Sequence, residues 1–500
     1  MSKTNFKRIA AAALAVLMLL SVVACGKTPA AADTYTYRTY TVTSPSNWNE
    51  LTYKDSNDTQ IMSYIGSSFF TYDFKFDANG NIIPGEFEMK YDAATKLEDV
   101  TAEYAEAWGL PEGKTGYAYK ITLREDLKWE NGDSIKAEDF VYTMEQQLDP
   151  LFQNYRADSF YAGSTVIVNA QNYLKQGSKR WEAAKTVVPT YSEEWDDQLI
   201  FALGHNDNVN CYVRDYVGFP ASYTLEKTVA WLTANWGFPV SAADVAKIEG
   251  KTLAEIKANA SLKGIWDTII GWWQTVPDEE LDFFIIDYTF PVVEFKNVGL
   301  FAASEYELVI VLAKPLALLK ENGDLSYKAA YNMSSLPLVH KATYEACKVA
   351  PAEGETLWTT TYNSSKETTM SWGPYKLTDF QGGKQYVLDR NTNWYGYGLA
   401  ENKGLYQTDK IICDTVKEWS SAWAMFQAGQ IDGIGIDPSI ADQYKSSDRA
   451  YFTPDDYVGS LQLQSNKEAM ALRQEEGKNK TIMSYSDFRK ALSLSINRAT

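Results

Sequence analysis

The chain has 500 residues, 45% of them hydrophobic and 22% charged. This is the composition of a folded globular protein. It excludes a collagen, a mucin or a disordered tail, and the length allows roughly three domains. A formal charge of −18 argues against nucleic acid as partner, because phosphate binding needs a basic face, and mildly favours cationic ligands.

At the N-terminus, Lys3, Lys7 and Arg8 precede an uncharged stretch from Ile9 to Val23. The stretch is shorter than the roughly 20 residues a bilayer span needs and fits the apolar region of a signal peptide. It ends in Val22-Val23-Ala24-Cys25-Gly26, which resembles a bacterial lipobox with Cys25 as the lipidated residue. Ordinary secretion with cleavage nearby is the alternative. Two or three acyl chains would anchor the protein firmly, where one is marginal. Residues 1–24 are thus expected to be a signal peptide and 25–34 a lipidated tether, with the protein on the outer face of the cytoplasmic membrane, at the cell surface or in the periplasm.

Further along, Asp77-Ala78-Asn79-Gly80-Asn81 reads as a hairpin turn. It has a faint calcium-loop look, with Glu88 in the twelfth position, but Ile82 stands where an EF-hand needs glycine. Alternating apolar residues predict strands at 117–123, 306–312, 385–388 and 460–463. Helices are predicted over 137–148, 421–428 and 486–496, the last with Phe488, Ala491, Leu492 and Ser495 at helical spacing. The stretch from about 180 to 295 is rich in tryptophan and reads as mostly helical. Thr252-Leu253-Ala254-Glu255 has capping-box spacing, and Trp266, Ile269, Ile270 and Trp273 share a helical face. This segment is either a packed insertion with its own small core or a Trp-lined ligand surface. Strands and helices alternate without strict order, which favours an α/β class.

Little here suggests catalysis. There is no Gly-x-Ser-x-Gly elbow, P-loop or His-Glu-x-x-His. Asp278, Glu279 and Glu280 follow Pro277, where acids cap a helix start, although a carboxylate pair can serve a glycosidase. Only two histidines occur, His205 and His340, so a histidine-built metal site is not expected. Cys211, Cys347 and Cys413 match no metal spacing and read as buried thiols or one incidental pair. No cofactor, metal or catalytic residue is expected, and the protein is read as a non-enzyme.

Residues 120–150, KITLREDLKWENGDSIKAEDFVYTMEQQLDP, carry a longer signal. A strand ends in Leu123-Arg124, then come Asp126, Lys128-Trp129, a turn with Gly132, and Ala137-Glu138-Asp139-Phe140 opening a helix. This resembles the signature of the peptide-binding family of extracellular solute-binding proteins, which serve ABC importers of oligopeptides, dipeptides and nickel. Further similar segments follow in family order: 76–84, 169–177, 307–315, 334–345, 372–395 with its Gly373-Pro374-Tyr375, 426–433 and 488–498.

The resemblance implies a two-lobed, periplasmic-binding-protein-like α/β fold of class II type. Lobe I would comprise 35–65 and 368–482. Its subdomain would span 66–367, with the Trp-rich insertion at about 180–295. Residues 483–500 would open lobe II, whose remainder, on the order of 150–200 residues, would be missing after Thr500. Ligand would bind between lobes that close by hinge motion, with backbone pairing for a peptide and hydrated pockets for its side chains. The aspartate that holds a peptide ammonium in relatives would lie in the missing lobe. Carried over by position, the expected ligand contacts are Trp48, Asn49 and Thr52 on an early strand, Tyr155 after Asp149-Pro150, and Ser460, Gln462 and Gln464 on a later strand. Trp129 is expected to pack the core.

The implied function is capture of oligopeptides by a monomeric lipoprotein and delivery to membrane permease subunits. An oligosaccharide or other small solute is the alternative ligand. A non-transport adhesion protein using the Trp-rich segment, or a hydrolase around Glu279–Glu280, are the alternative classes.

Overall fold

The structure, a computed structural model, describes residues 35–183, 199–201, 203, 224–273, 275, 284–317, 327–451, 461–467, 470 and 481–496. Cys25, His205, Cys211, the acids 278–280 and Ser460 lie outside them. The chain divides into two compact units, one of residues 1–174 and 293–452, the other of 175–292 and 453–500. The architecture is mixed α/β.

The first unit holds two four-stranded sheets. One runs Thr36–Thr41, Lys410–Thr415, Gln385–Arg390, Tyr375–Gln381 in space. Its first pair is parallel and the others antiparallel. The inward residues Tyr375, Leu377, Tyr386, Leu388, Ile411 and Cys413 pack with Trp48, Ile61 and Ile65. The other sheet runs Ala94–Asp99, Ala118–Leu123, Glu307–Val311, Leu300–Ser304, all antiparallel. Leu308, Val309, Ile310 and Val311 are all buried, as a central strand covered on both faces requires. The helix Ala137–Gln147 turns Phe140 and Met144 into the same core.

The signature segment joins strand to helix by satisfying its own polar groups. Arg124 forks onto Asp126 with two bonds of 2.9 Å, and its guanidinium carbon lies 4.9 Å from the Tyr395 ring centre. Trp129 is buried and meets His340 edge-on at 5.2 Å. Gly132 closes the turn at φ 96°, where a side chain would be strained. Asp139 accepts the Lys136 backbone N–H at 2.8 Å, which satisfies a free donor at the helix start. Gly373 matters for a different reason: its N–H and that of Trp372 both donate to the Ile65 carbonyl, at 2.8 and 2.9 Å. A Cβ there would overlap the backbone of Gly66.

The turn at 77–81 joins the antiparallel strands Phe70–Phe76 and Ile82–Tyr91. Asp77 accepts the N–H groups of Asn79 and Asn81, each at 2.8 Å, so its carboxylate serves the turn. Cys347 and Cys413 are buried free thiols. His340 is buried, with its ring nitrogens on Thr343 and Asp133 at 2.8 and 3.0 Å.

In the second unit the Trp-rich stretch has a core of its own. A three-stranded antiparallel sheet, Lys179–Ala183, Phe284–Thr289 and Leu199–Phe201, accompanies helices Leu225–Trp236, Ala242–Ile248, Leu253–Lys257 and Ala260–Trp273. Leu232, Val245, Ile256, Trp266, Ile269 and Ile270 are among its buried members, with Trp272 and Trp273 half-buried against them. Thr252 and Glu255 form the expected capping box. The helix Ser486–Ser495 forms where periodicity places it, with Phe488 and Ala491 exposed and Leu492 half-buried. The strand expected at 460–463 is not found: residues 461–466 take no regular structure, and no described strand pairs with them to hold an extended ladder.

Candidate functional site

A cavity of about 770 Å³ opens in the first unit. It falls within the size range of small-molecule sites. Four stretches of chain build it. Glu50 and Tyr53 come from a turn ahead of the helix Thr59–Ile65, which adds Thr59, Met62 and Ser63. Gly66, Ser67 and Ser68 follow that helix. Gln147 ends the helix Ala137–Gln147, and Arg156, Ser159 and Phe160 come from the short 3₁₀ helix Tyr155–Phe160. Asn332, Met333, Ser335, Leu336 and Pro337 close the far side. Hydroxyls dominate the polar lining, so the wall donates and accepts hydrogen bonds without carrying much charge.

The turn at 48–53 explains how Glu50 and Tyr53 are presented. Asn49 accepts the Leu51 N–H on its side chain at 3.0 Å and the Thr52 and Tyr53 N–H groups on its carbonyl at 3.0 and 2.9 Å. Thr52 Oγ1 accepts from Asn47 at 3.2 Å. Trp48 is wholly buried, packs 4.8 Å from the Phe380 ring and donates its indole N–H to Thr369 at 2.9 Å. The Trp48 side chain is thus taken up by the core, while Asn49 gives its side-chain oxygen to the turn and keeps an amide nitrogen that is buried without a partner among the described residues. The half-buried Thr52 also buttresses the turn.

Glu50 is the acid in the wall. Its Oε2 accepts the Leu338 N–H at 3.1 Å, and Oε1 faces Gly66, where a Cβ would stand 3.4 Å away. Burial pushes this carboxyl up to about 7, only partly offset by the Leu338 hydrogen bond. Glu130, whose Oε2 is buried without a partner, is also pushed up to about 7 by burial. Gln147 is fully buried, yet neither its amide nitrogen nor its amide oxygen has a partner among the described residues. A buried amide left unpaired costs about 1–3 kcal/mol, so it stands ready for an incoming group that pairs with it.

The rim carries two cation–aromatic contacts exchanged between neighbouring dipeptides. The Arg156 guanidinium carbon lies 3.9 Å from the centre of the Tyr53 ring, and Lys54 Nζ lies 5.3 Å from that of Tyr155. Tyr155 itself is 62% exposed and lies beside the cavity-lining Arg156 in sequence. Gln462 and Gln464 are exposed in the second unit, where Gln464 accepts the Asn466 N–H at 3.0 Å. Sequence reasoning reached the 48–52 and 155 segments but passed over Glu50, Tyr53, Gln147 and Arg156. A glutamate and an arginine next to aromatics were the available signals, and neither pattern is specific.

Residues 99–500 match the family model of bacterial extracellular solute-binding proteins, family 5, middle region. The chain belongs to this family. It is 32% identical over 115 residues to a dipeptide-binding protein of Lactococcus lactis, covering 23% of this chain and 18% of that one. It is 31% identical over 85 residues to the oligopeptide-binding protein OppA of Bacillus subtilis, covering 17% and 16%. Among solved structures, the substrate-binding domain of an oligopeptide ABC transporter from Bacillus anthracis aligns at 14% identity and TM-score 0.43, over 83% of this chain and 49% of that one. The pheromone receptor PrgZ, whose mode of peptide binding has been described, aligns at 15% and TM-score 0.44, over 93% and 58%. The chain spans about half the length of these solved structures and under a fifth of the two relatives lies in the matched segments. The family and the named relatives are binding proteins.

Proposed function

We propose that this chain is the solute-binding component of an ABC importer, capturing peptides outside the cytoplasmic membrane and delivering them to permease subunits as a monomer without covalent chemistry. The observation that carries the reading is the hydroxyl-lined cavity of about 770 Å³ with an unpaired buried amide, Gln147, in its wall. A peptide presents N–H and C=O groups along its backbone, which such a wall can pair regardless of sequence. Family membership and the peptide-binding names of the relatives support the same class of ligand. In this reading Tyr155 is an exposed ligand contact beside the cavity, while Trp48, Asn49 and Thr52 hold the turn that presents Glu50 and Tyr53. Cys25 is the lipid attachment point that keeps the protein on the outer face of the membrane.

Calorimetric titration with mixed-sequence peptides of three to nine residues, beside malto-oligosaccharides, tests the ligand class. Saturable heat with peptides alone is expected. Saturation by oligosaccharides alone would overturn the peptide reading. For the anchor, radiolabelled palmitate should enter the wild-type protein and not Cys25→Ala, and equal labelling of both would remove Cys25 from its role.

A further inference from the structure

Among the described residues that line the cavity, Arg156 is the one base and Glu50 the one acid. Arg156 is half-buried and rests on the Tyr53 ring at 3.9 Å. No described carboxylate lies within ion-pair distance of it, and its guanidinium makes no hydrogen bond to a described residue. This is unusual in a chain that carries 65 acidic residues against 47 basic ones, where a half-buried guanidinium has many candidate counter-ions. A guanidinium lying on a ring uses its face and keeps its N–H edge for a planar acceptor. Lys54, on the adjoining residue of the same turn, adds a second positive charge over the Tyr155 ring at 5.3 Å. Glu50 does little to neutralise the pair, since burial keeps its carboxyl protonated up to about 7. The wall around Arg156 also supplies the hydroxyls of Ser159 and Ser164, which can donate to anionic oxygens.

We propose that Arg156, held on the Tyr53 ring, is a specificity-determining residue that makes this cavity select ligands bearing a carboxylate. The proposal rests on the cavity being the peptide site. It reverses locally the preference for cationic ligands that the overall charge suggests, because a half-buried unpaired cation acts at contact distance, whereas the distant surface acids are screened. The carboxylate belongs either to an acidic side chain or to the peptide C-terminus, and both offer the same planar, bidentate acceptor.

Four probes separate the sources: Ala-Glu-Ala and Ala-Gln-Ala, each as free acid and as C-terminal amide. Each is titrated calorimetrically into the full chain at low salt, as wild type, Arg156→Gln and Arg156→Lys. A carboxylate form should bind about tenfold more tightly than its isosteric amide, the margin of a charge-assisted over a neutral hydrogen bond. A gain that follows Glu against Gln assigns the side chain, and one that follows acid against amide assigns the C-terminus. Arg156→Gln should erase the gain while still binding, and Arg156→Lys should retain part of it, which separates a lost counter-ion from a lost fold. If the wild type binds all four alike, or Arg156→Gln keeps the preference, the carboxylate assignment falls and the peptide reading stands. If none of the four binds while longer peptides do, Arg156 does not select carboxylates in short ligands and the assignment falls. If no peptide of any length binds, both readings fall together.

Discussion

At the scale of single residues, burial converts ordinary side chains into poised ones. Glu50 has an ordinary value of 4.5 and sits at about 7 in the folded protein. The folded state therefore holds a proton that the unfolded chain releases between these two values. Stability linked to Glu50 is fully present below pH 4.5 and is lost as pH rises through 7. The upper limit of that loss is about 3 kcal/mol. Urea midpoints measured at pH 5 and pH 8 should fall clearly for the wild type and by about half as much for Glu50→Gln, because Glu130 is pushed up to about 7 as well and loses its proton over the same range, and an equal fall in both proteins would show that Glu50 contributes nothing to it. Gln147 predicts an opposite kind of effect. Replacing it with Met removes an unpaired buried amide, so the ligand-free protein should gain up to about 2 kcal/mol while peptide affinity drops. Thermal melts with and without a mixed-sequence peptide would read both, and a loss of stability with unchanged affinity would contradict the assignment.

At the scale of elements, the family signature proves to be a folding device. Arg124–Asp126, Trp129, Gly132 and Asp139 each satisfy or pack something within the strand–turn–helix they belong to. None of them lines the cavity. Sequence reading found this segment because its devices are local: a period of two, a turn glycine, a capping acid. Gly373 was legible only as part of a motif, since its reason lies in a backbone more than 300 residues away in the chain. With a Cβ overlapping the Gly66 backbone, Gly373→Ala should cost about 2 kcal/mol or more and lower the melting temperature by several degrees. A variant that melts with the wild type would show that the two segments part easily. The failed strand at 460–463 teaches the converse: alternation marks a segment able to be a strand, but a partner strand decides whether it becomes one.

At the scale of the whole molecule, the Trp-rich segment should be separable. Among the described residues, the first unit's buried clusters draw none from 178–289. The chain also leaves and returns at one point, where Gly177 N–H donates to the Phe290 carbonyl at 3.0 Å and Phe290 N–H to that of Ser178 at 3.0 Å. Replacing 178–289 with a short Gly-Ser linker should leave a cooperative melt within a few degrees of one seen in the wild type. A molten or aggregated product would show that the first unit depends on the second. The same variant tests the role of the segment in ligand capture, because peptide binding at the cavity should survive its loss.

By itself the sequence determined the α/β class, three of the four strands and all three of the helices read from periodicity, the Thr252–Glu255 capping box and, through its motifs, the family, because all of these are written in spacing along the chain. Only the tertiary structure decided the site. Glu50, Gln147, Arg156 and Asn332 line one cavity though they are scattered across almost 300 residues. Whether an acid is neutral, an amide unpaired or a guanidinium without a counter-ion depends on neighbours brought from elsewhere in the chain. Trp48 shows the same dependence: an aromatic beside the site in sequence, it became core because the residues folded around it left it no open face.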